Sequence, residues 1–254
     1  MFMTCFLRCS GSRDMYLATS RDEHHLLHPA KTRRRHGAAE FSRDLDLLIL
    51  PDATNLPNLV RALDALDADV IAVPPLEERH LLRGHAVHLR CRREDVAGLR
   101  IDLMSSLRGV DGFEELWARR TTIEVAGEPI DLLAMEDLVR AKKTQCDKDW
   151  PMIRRLVEQS YFGHSIAATQ ERVRFWLREL RTPELLVEVA WTHPELARAE
   201  AVLRPAVQAA LSACPDDVSE ALETEEREER RKDREYWAPL KRELEEFRLG
   251  RRRQ

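Results

Sequence analysis

Residues 41–50 read Phe-Ser-Arg-Asp-Leu-Asp-Leu-Leu-Ile-Leu, with two aspartates one residue apart at the head of an apolar run. Read as a strand, the run puts side chains at i and i+2 on one face. Asp44 and Asp46 therefore point the same way. Two ionised carboxylates side by side repel, and partial burial sharpens the cost. A divalent cation removes that cost, and magnesium takes oxygen ligands of this type. A second segment, Leu99-Arg100-Ile101-Asp102-Leu103-Met104, reads as another strand with one acid in its middle. If the two strands are neighbours, Asp102 is a third carboxylate on one patch, a layout suited to metal-assisted phosphoryl transfer.

The 254 residues suffice for one large domain or two small ones. With 34% charged residues and a net charge of −4, the surface is polar but carries no general basic coat for nucleic acid. No apolar run approaches a membrane span, and the apolar start lacks a basic lead and a small-residue cleavage site, so neither a membrane anchor nor a signal peptide is expected. Five cysteines are scattered, and Cys5 and Cys9 lack a second ligand pair at finger spacing, which fits free thiols in a reducing, cytoplasmic setting.

Residues 1–36, with Arg33-Arg34-Arg35-His36 near their end, show no periodicity and read as an irregular, diverged or mis-specified leader. From Gly37 the pattern turns globular. Strand 43–50 leads through Pro51-Asp52-Ala53-Thr54 into an amphipathic helix over 55–67 (Leu56, Leu59, Val60, Leu63, Leu66), then a strand at 70–73. A helical turn at 76–82 follows, then strands 85–91 and 99–104 as an antiparallel hairpin closing at Gly98. His85 and His88 have opposite strand parity and read as ordinary histidines. A helix at 112–120 and strands 121–125 and 129–133 complete the sheet region, 37–133. Beyond it the spacing predicts a helical lobe over 134–215: a helix over 135–159 bent near Trp150-Pro151, then helices at 171–181, 183–191 and 194–212. Trp117, Trp150, Trp176 and Trp191 read as packing residues. Residues 216–254 alternate acids and bases, the pattern of a long solvated helix. Its stripe of Trp237, Leu240, Leu244 and Phe247 is expected to dock on the chain itself or on a protein partner. No internal repeat is evident. The fold class is α+β: a mixed sheet flanked by helices, with a helical C-terminal region.

In this order the elements resemble the nucleotidyltransferase superfamily of the DNA polymerase beta type, and more narrowly its small bacterial stand-alone members, which include toxin–antitoxin and abortive-infection relatives. The resemblance runs over about residues 37–161. It rests on Ser42-Arg43-Asp44-Leu45-Asp46, Arg100-Ile101-Asp102-Leu103-Met104, Gly109-Val110 before Phe113-Glu114-Glu115-Leu116, Pro129-Ile130-Asp131-Leu132, and Met135-Glu136-Asp137-Leu138-Val139 with Lys142 and Lys148-Asp149. It implies that Asp44 and Asp46 are paired metal ligands and that Asp102 is the third carboxylate, both ligand and helper in deprotonating the acceptor. It also implies that Ser42 and Arg43 touch phosphate and that Lys142 and Lys148 steady a triphosphate. Lys143 is expected to be a solvated neighbour, and Asp149 to pair with Lys148. The implied activity is Mg²⁺-dependent transfer of a nucleoside monophosphate from an NTP to a hydroxyl of tRNA, a protein or a small molecule.

The family also carries a Gly-Ser or Gly-Gly turn before its aspartate pair, where backbone N–H groups cradle phosphate. Here residues 28–36 read His-Pro-Ala-Lys-Thr-Arg-Arg-Arg-His, without such a turn. That departure motivates a second expectation, a catalytically inactive binding protein of the same fold, or a toxin component regulated by a partner.

Overall fold

The computed structural model describes residues 4–7, 44–125 and 127–252, and the chain is α+β. It divides into two compact units, residues 4–7, 44–138 and 237–252 in one and 139–236 in the other.

The first unit is built on a mixed sheet. Strands β3 (Ala68–Val70), β4 (Val87–Cys91), β5 (Arg100–Met104) and β2 (Asp44–Ile49) lie in that spatial order. β4 runs antiparallel to β3 and β5, and β2 runs parallel to β5. The expected leader contributes one strand, β1 (Thr4–Leu7), parallel to β2; the rest of residues 1–36, the three arginines included, lies outside the described residues. Through the pair Cys5↔Leu132, β1 joins β7 (Glu128–Leu132) of the hairpin it forms with β6 (Thr121–Val125).

Strand parity sorts the sheet. The odd-numbered residues Leu47, Ile49, Val87, Leu89, Cys91, Ile101 and Leu103 enter one apolar core, with Leu59, Leu63 and Leu66 of the chain at and after helix α1 (Asn55–Ala65) and Leu81 of helix α2 (Glu78–Leu82). Burial of this face drives the fold, and a one-residue register slip would turn every one of these side chains outward. The β4–β5 hairpin has the expected partners. Cys91 N–H donates to Leu99 O and Gly98 N–H to Cys91 O, both at 2.9 Å, and Gly98 supplies the left-handed φ of +82° that the closure needs. β3 begins two residues before the expected 70–73, because Asp67, at φ +48°, turns the chain straight out of α1 into Ala68.

Helix α3 (Phe113–Ala118) also belongs to this unit, as does the end of the last helix, α10 (Pro215–Arg252), from Trp237 onward. Its expected apolar stripe docks within the unit. Leu240 is buried, and Phe247 meets the rings of His80 and His85 edge-on, with centroids at 5.0 and 5.8 Å. Glu243 lies between Phe247 and Leu240 in sequence. It accepts from Arg83 Nε at 3.0 Å and meets His85 Nε2 at 2.8 Å; these bonds, Arg83's first, hold its carboxyl down at about 2. A carboxyl depressed below its unfolded value stabilises the attachment above that value, and the contribution is lost as pH falls toward 2. Glu243→Gln is expected to remove that dependence and to speed amide hydrogen exchange over 237–252 by several-fold at neutral pH. Exchange equal to that of the parent chain would show that the ion pair does not hold the segment.

The second unit is helical. Helix α4 (Met135–Ala141), which begins in the first unit and enters the second at Val139, and helix α5 (Asp149–His164) are separate, not one helix bent at Pro151. The break is at 142–148, where the Thr144 hydroxyl donates to Asp149 and Trp150 Nε1 donates to Thr144 O at 2.9 Å. Pro151 lies in the first turn of α5, where its missing N–H costs no helical bond. After α6 (Gln170–Glu179), helices α7 (Pro183–Thr192), α8 (Pro194–Ala201), α9 (Pro205–Ala210) and α10 each open on a proline. Pro205 therefore splits the expected helix 194–212 in two. The prolines recur at ten- or eleven-residue steps, a periodicity that the sequence reading did not register. Trp150 and Trp176 are buried, whereas Trp191 is 63% exposed and does not fill the expected packing role. No described helix is long and apolar enough to cross a membrane.

Candidate functional site

The even-numbered residues of β2, β4 and β5 make the other face of the sheet. In the parallel β2–β5 pair, Asp44 is in register with Arg100 and Asp46 with Asp102; in the antiparallel β4–β5 pair, His88 faces Asp102 and Arg90 faces Arg100. Paired residues share a face, about 5 Å apart across the strands. Two rows result: His88, Asp102, Asp46, and beside them Arg90, Arg100, Asp44. One step further along, Leu48 and Met104 turn the face apolar. The three aspartates thus share one side of the sheet, with Asp46 and Asp102 only 5% and 7% exposed.

The face is not purely acidic. Arg100 Nε donates to Asp102 Oδ1 at 2.8 Å, and His88 Nδ1 lies 2.8 Å from the same oxygen. Burial pushes the Asp102 carboxyl up, but the bonds and charges of His88 and Arg100 outweigh it and leave the group below the ordinary carboxylate range. An ionised Asp102 has no proton to give, so His88 Nδ1 is the donor. The 3.1 Å approach of Arg100 Nη2 to that nitrogen is then a contact of two donors and not a bond. Burial opposes the charge of Arg100, while Asp102, Asp44 and Asp46 favour it, and the net shift is upward.

As donors, carboxylate oxygens on neighbouring strands suit magnesium. Among the described residues, however, no group of three or more His, Cys, Asp or Glu side chains closes into a ligand set. The acids fit the ion in chemistry and register, but one of them, Asp102, already binds an arginine through Oδ1.

The other expected binding residues fall elsewhere. Ser42 and Arg43 lie outside the described residues. Lys142 and Lys148 belong to the second unit, in the segment between α4 and α5, with Lys142 half-buried and Lys148 exposed. Lys143, expected to be solvated, is instead largely buried and pairs with Glu179 at 2.7 Å. Asp149 is engaged by Thr144, the residue that shapes the loop, where a partnership with Lys148 was expected.

Sequence reasoning missed His88 and Arg100. Parity alone was a usable signal. Once the hairpin closes at Gly98, counting back along β4 brings His88 opposite Asp102. Comparison of the chain with protein-family models, with curated proteins and with solved structures finds no match.

Proposed function

We propose that the chain is a metal-dependent nucleotidyltransferase that moves a nucleoside monophosphate from an NTP to a hydroxyl acceptor. The observation that supports this most is the register of β2 on β5, with Asp46 beside Asp102 and Asp44 one row away on the same face. Three carboxylates on one face carry a repulsive cost that Arg100 and His88 offset in part, and a bound cation would offset more of it. Asp44, Asp46 and Asp102 would hold magnesium, which when bound neutralises the triphosphate and makes the acceptor hydroxyl more acidic. The residues' own work is positioning. The acids would fix where the phosphates lie, and Ser42 and Arg43 stand next to them in sequence. In the transfer the acceptor oxygen bonds to the α-phosphorus as the bond to pyrophosphate breaks.

The test is incubation of the full chain with labelled NTPs and Mg²⁺ against tRNA, protein and small-molecule acceptors. Label transfer that disappears with EDTA is the expected result. No transfer with any acceptor, together with no Mg²⁺-dependent NTP binding, would overturn the reading.

One observation favours a second reading, a catalytically silent module of the same fold: Arg100 already neutralises part of the acidic face. Under it, Asp44→Asn leaves any cellular phenotype unchanged. For a toxin component with a partner on the C-terminal helix, the contact would have to use the charged faces of α10, since Leu240 and Phe247 are engaged within the chain.

A further inference from the structure

We propose that Arg100 is the resident counter-ion of the acidic face and that a divalent cation binding Asp102 through Oδ1 does so by displacing its guanidinium. This rests on the cation-binding part of the functional reading and adds what controls it.

Arg100 is placed by strand register and not by a loop. It is the Cα partner of Asp44 on β2 and stands two residues before Asp102 on β5, so its side chain and all three acids share one face. Its Nε donates to Asp102 Oδ1 at 2.8 Å. A guanidinium stays charged at every physiological pH, so the competitor is always present. A magnesium-sized ion needs carboxylate oxygens at about 2.1 Å, and a lone pair occupied by an N–H cannot also serve it. The guanidinium and the cation are therefore alternatives at Oδ1. With 38% of its side chain exposed, Arg100 has solvent into which it can swing.

Arg90 provides the control. It is the Cα partner of Arg100 on β4, is exposed on the same face, and carries the same charge one strand further from the acids of β2. A general field effect would act through both arginines, whereas displacement acts through Arg100 alone.

The experiment titrates Mn²⁺ into the full-length chain, with free ion followed by electron paramagnetic resonance. The parent, Arg100→Gln, Arg90→Gln, and Arg100→Gln combined with Asp46→Asn are compared. Loss of a charge-assisted hydrogen bond from the competing state is expected to tighten Mn²⁺ binding about 10-fold or more in Arg100→Gln. Arg90→Gln should change it less than about 3-fold, as for a screened surface charge. Adding Asp46→Asn should abolish the gain. Equal binding by the parent and Arg100→Gln, an equal gain in Arg90→Gln, or no binding by any of them would overturn the proposal.

If Arg100→Gln fails to fold, the parent chain serves. The Arg100 Nε–H resonance should move toward the position of a solvent-exposed arginine as Mg²⁺ is added. An unmoved resonance at Mg²⁺ saturation would equally overturn the proposal. The two readings fail separately. Absent nucleotidyl transfer with Arg100-dependent Mn²⁺ binding removes the enzyme and keeps the counter-ion; transfer with Arg100-independent binding does the reverse.

Discussion

Arg204→Met is expected to lower the unfolding free energy by about 3–5 kcal/mol, the cost of breaking a buried ion pair by removing one partner. Arg204 is 7% exposed, and all three of its side-chain nitrogens donate inside the second unit. Nη1 donates to Leu177 O at 2.7 Å, Nη2 to Leu180 O at 2.9 Å, and Nε to Glu225 Oε2 at 2.8 Å. Those two carbonyls belong to the end of α6, whose last C=O groups have no helical partner. The arginine thus ties α6 to α10 while answering the acid that α10 buries. Glu225 also accepts from Arg181 at 2.8 Å, and Arg181, pressed down by burial first, donates to Leu222 O at 2.7 Å. Methionine keeps the aliphatic volume but leaves two carbonyls without their donor and Glu225 with less positive charge.

Two measurements separate this account from a plain packing loss. In denaturant titrations followed by tryptophan fluorescence, Arg204→Met combined with Glu225→Gln should destabilise less than the sum of the single changes, by about 1 kcal/mol or more. Additive effects would show that the pair is not coupled. The pH response also carries a sign. Burial alone would raise the Glu225 carboxyl, but Arg204, Arg181 and Lys143 outweigh it and hold it below the ordinary range. Its contribution is therefore present above the unfolded value and lost as pH falls through the depressed folded one. Without Arg204 the folded value rises, so the acid limb of stability should begin at higher pH.

The network was not legible in the sequence, for a physical reason. Glu225 sits in a run of alternating acids and bases whose local pattern is that of a solvated face, and only tertiary packing turns that part of α10 inward. Lys143 was misread for the same cause: nothing within four residues announces Glu179. Where a local rule decides the outcome, the sequence was sufficient. Alternation gave β2, β4 and β5 to within about two residues, a normal boundary error, and parity put the three acids on one face. Proline chemistry was legible but underused. Pro205 ends one helix and opens another as Pro183 and Pro194 do, whereas Pro151, in a first turn, breaks nothing. The pairing of β2 with β5 spans more than fifty residues and has no local signal. It was right only as a wager on the order of elements, and Arg100 as the neighbour of Asp44 was invisible without it.

That neighbourhood makes Asp46→Asn the sharpest test of the acidic face, because it separates a loss of transfer from a loss of stability. Asparagine keeps the shape of the side chain and removes one of three like charges from a site that is 5% exposed. If Asp46 serves only the packing of the face, the change should act on stability and leave transfer intact. If the face exists to hold a cation and a triphosphate, the same change strips the central ligand, between Asp44 along the strand and Asp102 across it. The expected result is a fall in nucleotidyl transfer of at least about 100-fold, the scale seen when one preorganised electrostatic contact is lost, with a smaller effect on stability than Asp102→Asn has. Asp102→Asn should behave differently. Its carboxylate answers both Arg100 and His88, so its loss should also destabilise the fold by about 1–3 kcal/mol. Parallel assays of transfer and of unfolding on the two variants check both statements. If Asp46→Asn destabilises as much as Asp102→Asn, or leaves transfer intact, Asp46 is a structural residue and the face loses its claim to the chemistry.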